Sequence, residues 1–387
     1  MVKRKPIFYD EERRRWRRTR RVLEISGILF TLLIVTFFVN ILRRPNLPEL
    51  LLPSRSPLYR PVTYSRTHRA PAKPKRISLG PARLRKVAAI GDIPETYDPL
   101  RAGFYVNWDS NSLASLEQHY HDIDLLIPEE LHAATADGSL AVDNDPKLDA
   151  FLKSINSDLP QMPLVNNYDG RDWQIEPMAQ MLANPPSRQR LTAALAGYAS
   201  SHKSAGIAVD FENVPDEAQK NFTEFVRELG LALHADRLKL MVALPAADWT
   251  YDYKSIALYS DAIILMNYDL HWPQSAPGPI VSQDWYLKNL DAITKMVPPQ
   301  KIVMGIANYA YDWPTATKKD PHPVADPLSF QSACVRALES DAQIQFDSAS
   351  LSPFYNYEDE NNNVHNVWML DALTAYNELR AADRAHL

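Results

Sequence analysis

From residue 101 onward, short apolar runs alternate with longer stretches in which apolar residues recur at helical spacing. Short apolar runs bounded by polar or turn residues predict buried strands, and the amphipathic stretches between them predict helices. The predicted strands are 103–108, 124–127, 163–167, 206–211, 239–244, 262–268 and 302–307. The predicted helices are 187–202, 216–234, 283–296, 328–340 and 368–381. This alternation predicts an α/β fold with a parallel sheet covered by helices.

Strand–helix units that repeat through residues 101–387 fit a (β/α)8, TIM-barrel-like fold better than a doubly wound sheet. No eighth strand is evident after the last predicted helix. Either an earlier run at 86–90 supplies it, or the chain is the front part of a longer protein. We therefore predict a barrel that lacks its eighth strand in this chain.

An apolar run at 22–42 has one acidic residue, Glu24, and is long enough to cross a hydrocarbon core of about 30 Å. Ten Lys and Arg residues precede it, whereas Arg43 and Arg44 follow it directly. This asymmetry predicts one transmembrane helix with a cytoplasmic N-terminus and an extracytoplasmic barrel. No A-x-A-like cleavage site follows the run, which favours a retained anchor over a signal peptide.

The charge divides the chain into regions of opposite sign. Residues 1–90 contain 22 basic and 5 acidic residues, which leaves 20 basic and 42 acidic residues for 91–387. We predict a basic cytoplasmic arm at 1–21, the transmembrane helix at 22–42, a Pro-rich, basic linker at 43–99 and a barrel domain at 100–387. An acidic barrel makes nucleic acid an unfavourable partner. Cys334 is the one cysteine, so the chain has no intrachain disulfide.

Two carboxylates end the predicted strand 206–211. Side chains alternate between the faces of a strand, so Asp210 and Glu212 are expected to point the same way. Crowded carboxyls tend to divide into one ionised and one protonated group, which is the arrangement that glycosidic bond cleavage uses. Alternatively, the two acids cap the helix that begins near Pro215.

Aromatic residues lie near several predicted strand ends, where they either stack on sugar rings or close the barrel mouth by packing. These are Tyr105, Trp108, Trp272 and Trp313; Asp109 and Glu129 are weaker candidates at strand ends. His119 and His121 diverge on a predicted helix, and no Gly-rich phosphate loop exists. We therefore predict no metal site and no cofactor.

Several motifs resemble the family 18 glycoside hydrolases, the chitinase-like barrels, over roughly residues 100–387. The family's D-x-x-D-x-D-x-E strand end matches at Asp210 and Glu212, and its M-x-Y-D motif matches in ILMNYD. KIVMGIANYAYDW resembles the family's seventh strand. The DFENV segment and the tail hairpin YNYEDENNNVHNVW are similar to bacterial spore-cortex and cell-wall hexosaminidases. The likeness is greatest to chitinase-like domains at the front of membrane proteins that also carry polysaccharide deacetylase and family 2 glycosyltransferase domains.

The resemblance implies a retaining mechanism in which the substrate's own 2-acetamido group is the nucleophile. Glu212 would be the general acid, and Asp210 would stay charged and orient the acetamido nitrogen. Tyr268 would bind the acetamido carbonyl, with Asp269 in the same polar floor. The substrate-binding residues that we predict are Tyr105, Trp108, Met266, Asn267, Trp272 and Trp313.

The chain departs from the family pattern at the first two acids, where Ala205 and Ala208 stand. In the family the acid that aligns with Ala208 interacts with the one that aligns with Asp210, so the departure predicts slow or absent turnover. The family's eighth strand, with its tryptophan floor, is also missing.

The sequence leaves three hypotheses open. The first is a membrane-anchored hydrolase of β-linked N-acetylhexosamine polymers, such as chitin. The second is a noncatalytic glycan-binding module that guides polymer for attached or associated deacetylase and glycosyltransferase domains. The third is a structural spacer.

Overall fold

The computed structural model describes residues 27, 30–31, 100–155, 158–316, 323–360 and 362–387. The basic arm, the linker and nearly all of the predicted anchor at 22–42 lie outside these residues. In the part of the chain that the structure describes, no helix has both the length and the apolar character needed to cross a bilayer. The anchor therefore remains a sequence prediction.

Eight strands form the first sheet, and all seven predicted strands are confirmed, with ends that differ by up to five residues. The strands are β1 (Ala102–Tyr105), β2 (Leu125–His132), β3 (Ala141–Val142), β4 (Leu164–Asn166), β5 (Gly206–Asp210), β6 (Lys239–Pro245), β7 (Ala262–Met266) and β8 (Ile302–Gly305). They pair in the order β1-β2-β4-β5-β6-β7-β8, with all neighbours parallel, and β3 adds to β2 in the antiparallel sense.

Helices alternate with these strands. They are α1 (Ser110–His119), α2 (Pro146–Ser154), α3 (Ile175–Ala183), α4 (Pro185–His202), α5 (Gln219–Ala235), α6 (Tyr253–Tyr259), α7 (Gln283–Thr294), α8 (Phe330–Glu339) and α9 (Ala372–Arg384). Four of the five predicted helices correspond to α4, α5, α7 and α8. The fifth was predicted to begin at Trp368, but that residue lies in a strand. Helix α9 begins only after Asp371, whose side chain accepts hydrogen bonds from the N–H groups of Leu373 and Thr374.

The parallel sheet has a separate core on each face. On the inner face, residues from successive strands pack together, among them Ile127, Leu164, Ala208, Met241 and Ile264. On the outer face, alternate residues of the same strands pack against α3, α4, α5 and α6. A strand that is buried on both faces reads as a continuous apolar run, which is why the sequence predicts these strands well.

The described sheet is a curled, open half-barrel. Strands β1 and β8 lie at its two ends, and within the described residues no strand joins one to the other. The structure therefore fits a TIM-barrel-like α/β fold that lacks a strand. The alternative eighth strand at 86–90 lies outside the described residues.

A five-stranded antiparallel sheet between β8 and α9 was not predicted as a sheet. Its strands are β9 (Tyr309–Pro314), β10 (Asp326–Ser329), β11 (Gln345–Asp347), β12 (Ser352–Glu358) and β13 (Val364–Met369), in the order β10-β9-β13-β12-β11. The tail hairpin noted in the sequence is β12–β13. Buried Asp312 of β9 links the sheet to α8. It accepts a hydrogen bond from Tyr357 of β12 at 2.7 Å and contacts His365 of β13, and it pairs with Arg336 of α8.

Candidate active site

The two acids at the end of β5 face the inner side of the sheet. Phe211, which separates them, packs outward on α5 and stacks on Phe225 with ring centroids 5.5 Å apart. Alternation then turns Asp210 and Glu212 inward. Asn213 follows in the left-handed region with φ of 56°, so the chain turns directly after the acids.

Burial and like charge both raise the pKa of these carboxyls. For Asp210 the main cause is burial, followed by the negative charges of Glu212 and Glu129. For Glu212 the main cause is again burial, followed by the charge of Asp269. Asp210 Oδ1 is also buried without a hydrogen-bond partner. Each of the two carboxyls is therefore harder to ionise than an isolated carboxyl.

Tyr268 and Asp269 follow β7 and complete the polar cluster. Burial, and then the charge of Asp210, raise the pKa of Tyr268, so its hydroxyl stays protonated and can donate a hydrogen bond. Asp269 adopts the left-handed region with φ of 62°. It is held there by hydrogen bonds from the hydroxyls of Tyr309 at 2.5 Å and Tyr311 at 3.1 Å. The structure thus brings together the four residues predicted to be catalytic.

Asn167 is a residue of the site that the sequence reasoning missed. Its side chain is fully buried and accepts a hydrogen bond from the Glu212 N–H at 2.8 Å, while its Nδ2 donates to the Glu212 carbonyl at 3.1 Å. The only local signal is a polar Asn-Asn pair at the end of the predicted strand 163–167. That position is where parallel strands place functional side chains.

Exposed tryptophans follow the carboxyl ends of four parallel strands. Trp108 is 75% exposed after β1, and Trp272 is 50% exposed after β7, in agreement with their predicted positions at the mouth. Trp249 is 53% exposed after β6, and Trp173 is 39% exposed after β4. These last two were not predicted, although each follows a predicted strand by a few residues. Met266 ends β7 and packs against the inner core.

Three of the predicted substrate-binding residues point elsewhere. Tyr105 packs with Leu116 and Leu148 and donates its hydroxyl to Asp145. Since Ala102 faces inward, alternation makes Phe104 the inward aromatic of β1; it is 51% exposed.

The other two lie in buried packing. Asn267 donates to the Tyr286 carbonyl of α7 at 3.0 Å and accepts from Asn289 at 3.0 Å, so its amide binds α7 to β7. Trp313 is fully buried in β9. Both residues were predicted from motif matches that give the position along the chain but not the direction of the side chain.

The described residues contain no group of three or more His, Cys, Asp or Glu side chains arranged to hold a metal ion. Asp109, a weaker candidate, caps α1 by accepting a hydrogen bond from the Asn111 N–H. The chemistry that the site itself offers is proton transfer between buried carboxyls and hydrogen bonding from a buried phenol.

Known proteins with similar sequences and structures include a glycosylase, cortical fragment-lytic enzymes and chitinases. A protein of Bacillus subtilis (strain 168) named as a sporulation-specific glycosylase, YdhD, is 31% identical over 214 residues, which are 54% of this chain and 50% of that protein. The cortical fragment-lytic enzyme of B. subtilis (strain 168) is 28% identical over 254 residues, which are 62% of this chain and 57% of that protein. The chain therefore spans about half the length of these relatives.

A solved structure agrees with this relationship. The crystal structure of a chitinase from Chromobacterium violaceum ATCC 12472 superposes with a TM-score of 0.67 at 26% identity, over 75% of this chain and 92% of that chain. The sequence model described as glycosyl hydrolases family 18 matches residues 103–377. Because that match covers most of the chain, the protein belongs to glycosyl hydrolase family 18.

Proposed function

We propose that the barrel domain is a retaining glycosidase that cleaves β-linked N-acetylhexosamine polymers with help from the substrate's acetamido group. The observation that carries this proposal is the carboxyl pair Asp210 and Glu212, which is buried at the carboxyl end of β5 with both pKa values raised. Relatives named as a cortical fragment-lytic enzyme and a chitinase support the substrate class.

Glu212 acts as the general acid in this proposal. Its raised pKa favours the protonated form of its carboxyl, and protonation of the glycosidic oxygen turns the leaving sugar into an alcohol. The acetamido carbonyl oxygen then attacks the anomeric carbon as the glycosidic bond breaks. Tyr268 donates a hydrogen bond to that carbonyl and fixes its orientation, since its hydroxyl stays protonated.

Asp210 supplies the opposing charge. The acetamido N–H of a bound sugar would donate to the Asp210 carboxylate and stabilise its ionised form, and the charge of Asp210 would in turn favour the protonated form of Glu212. Ionised Asp210 then stabilises the positive charge of the oxazolinium intermediate. Glu212, now ionised, removes a proton from a water molecule as the water attacks the anomeric carbon and opens the intermediate.

A second candidate is glycan binding without hydrolysis. The observation that favours it is the pair of buried alanines, Ala205 directly before and Ala208 within the strand that carries Asp210. A carboxyl that lacks a proton-sharing partner cycles poorly between its charged and neutral forms. The exposed tryptophans after β1, β4, β6 and β7 would still bind sugar rings.

Release of labelled product from an N-acetylglucosamine oligomer, and from peptidoglycan, separates the two candidates. We expect Glu212→Gln to lower kcat by about 10²–10⁴-fold while oligomer binding persists. Glu217→Gln, at an exposed acid four residues after Asn213, is the matched control and should keep full activity. Binding by the unmodified protein without any release would favour the second candidate and overturn the first.

We also propose that the chain is anchored by residues 22–42 with the barrel outside the cytoplasm, and that it works with an attached or associated deacetylase or glycosyltransferase. The apolar run and the excess of basic residues before it support the anchor. The resemblance to multidomain membrane proteins supports the partners. Extraction of the full chain from membranes by detergent but not by carbonate would support the anchor, and carbonate release would contradict it.

A further inference from the structure

Glu129 lies on the inner face of β2 at a β-bulge. Glu129 pairs with Leu164 of β4, but the register of the two strands shifts before Leu131. The extra residue returns His132 to the same face as Glu129, whereas regular alternation would place residues three apart on opposite faces. Glu130 lies on the outer side, where its carboxylate accepts a hydrogen bond from Tyr198 at 3.0 Å.

Asn166 links these inner residues to the site. It is the register partner of His132 on one side and of Asp210 on the other. Its Oδ1 accepts from the Tyr168 N–H at 3.1 Å and contacts His132 Nδ1 at 2.8 Å, which fixes the orientation of the amide. Its Nδ2 therefore faces Glu129 and donates to Oε1 at 3.0 Å. Asn166 thus holds the Glu129 carboxyl beside the strand that carries Asp210.

On the inner face of the sheet, the Glu129 carboxyl shares a lateral row with a small residue. Glu129, Leu164 and Ala208 form one lateral row across β2, β4 and β5, directly below the row that contains Asp210. Ala208 contributes only a methyl group to that row. Asp210 Oδ1 is buried without a hydrogen-bond partner, and the charge of Glu129 is one of the causes that raise the pKa of Asp210.

We propose that Glu129 is the second carboxyl of the Asp210 site, reaching from β2 into the space that Ala208 leaves, where the two groups share a proton. This inference rests on the proposed glycosidase function. Burial raises the pKa of Glu129, while His132 and the hydrogen bond from Asn166 favour its ionised form. Glu129 acts through Asp210 and is therefore a positioning residue. The other ionisable groups that face Asp210 are Glu212 and Tyr268.

The test is the pH profile of kcat/KM for Glu129→Gln. Glutamine still accepts the hydrogen bond from Asn166, so the fold is kept, but it cannot ionise. Loss of a neighbouring negative charge lowers the pKa of Asp210, so the acid limb should move to lower pH by about one unit, with KM little changed. Glu130→Gln is the matched control. Burial also raises the pKa of the Glu130 carboxyl, but this carboxyl lies on the opposite face of the sheet. This variant should leave the acid limb in place, and an unmoved limb in Glu129→Gln would overturn the proposal.

A second measurement needs no turnover. The Asp210 carboxyl can be titrated by ¹³C NMR in Glu212→Gln protein with and without Glu129→Gln. A lower titration midpoint of Asp210 in the double variant supports the proton shared with Glu129. If the unmodified protein also shows no hydrolysis, the glycosidase proposal fails while the role of Glu129 stands. An identical midpoint in both proteins would refute the role of Glu129 whatever the activity.

Discussion

The side-chain amide of Asn167 makes two hydrogen bonds to the main chain of Glu212, one to its N–H at 2.8 Å and one to its carbonyl at 3.1 Å. The two residues lie on loops that follow neighbouring strands, β4 and β5. The amide substitutes for the ladder hydrogen bonds that end where β5 ends. The position of the proposed general acid is therefore set by a side chain 45 residues earlier.

Asn167→Ala should lower kcat by roughly 10–100-fold, because a displacement of the proton donor by less than 1 Å weakens transfer to the glycosidic oxygen. It should also cost about 1–3 kcal/mol of unfolding free energy, since two buried main-chain groups lose their partners. Asn167→Asp keeps the hydrogen-bond acceptor and loses the donor, so its kcat should lie between those of the unmodified protein and Asn167→Ala. Initial rates and thermal melting measure both effects, and wild-type kcat in Asn167→Ala would contradict the assignment.

Asp210→Asn should stabilise the fold at neutral pH while abolishing activity. The folded-state pKa of Asp210 lies above its unfolded value, so the folded state binds the extra proton and stability falls as pH rises from ~4 through the raised pKa. An amide cannot ionise, so the variant does not lose stability in this way. We expect its free energy of unfolding to be higher by about 2 kcal/mol at pH 7 and little changed at pH 4. Melting temperatures across this range test the sign.

Glu378 of α9 provides the matched comparison. It is buried, burial raises its pKa to about 8, and Oε1 has no hydrogen-bond partner, but it lies away from the carboxyl pair. Glu378→Gln should show a similar gain in stability at pH 7 with activity retained. Loss of activity in both variants would show that the effect of Asp210→Asn is not specific to the site.

Gly305→Ala should impair the site through Tyr268. A Cβ at Gly305 would lie 3.0 Å from the Leu265 carbonyl oxygen and 3.2 Å from Tyr268 Cε1, so the ring must move. We expect kcat to fall by roughly tenfold, because Tyr268 orients the acetamido group. Gly197 of α4 has no atom within 4 Å of such a Cβ, and Gly197→Ala should instead stabilise the helix by about 0.5–1 kcal/mol with unchanged kcat. Unchanged kcat in both variants would exclude this role of Gly305.

The sequence predicted the parallel strands and about half of the described helices, because their signals are local. Most residues of these strands are apolar on both faces, and acids directly after a strand end are visible from the residue order alone. The antiparallel sheet was missed because β9 begins only a few residues after β8, within the same sequence motif. Tyr309–Pro314 was therefore taken as part of the seventh strand unit. Trp368 was assigned to a helix for a similar reason, since only the cap at Asp371 marks where the helix begins.

The site was less predictable where it depends on side-chain direction or on distant pairing. Tyr105 and Phe104 are adjacent, and only the inward position of Ala102 decides which of them faces the inner side of the sheet. Glu129 faces inward with His132 because of a bulge that the sequence of β2 does not reveal. Asn167 meets Glu212 only once β4 and β5 pair. These contacts are properties of the sheet and not of any short segment.

Trp108 and Trp313 were predicted for the same role, and their exposure separates them. Trp108 is 75% exposed, so Trp108→Ala should weaken binding of long N-acetylglucosamine oligomers by about 1–2 kcal/mol and leave the melting temperature unchanged. Trp313 is fully buried with Tyr286 and Tyr311, so Trp313→Ala should cost about 3–5 kcal/mol of stability. Any loss of binding in that variant should track unfolding. Calorimetric titration with a dimer and a hexamer tests the assignment, because a sugar platform at the mouth affects the longer ligand more. Equal weakening of both ligands by Trp108→Ala would place this tryptophan at the reacting sugar instead of along the polymer.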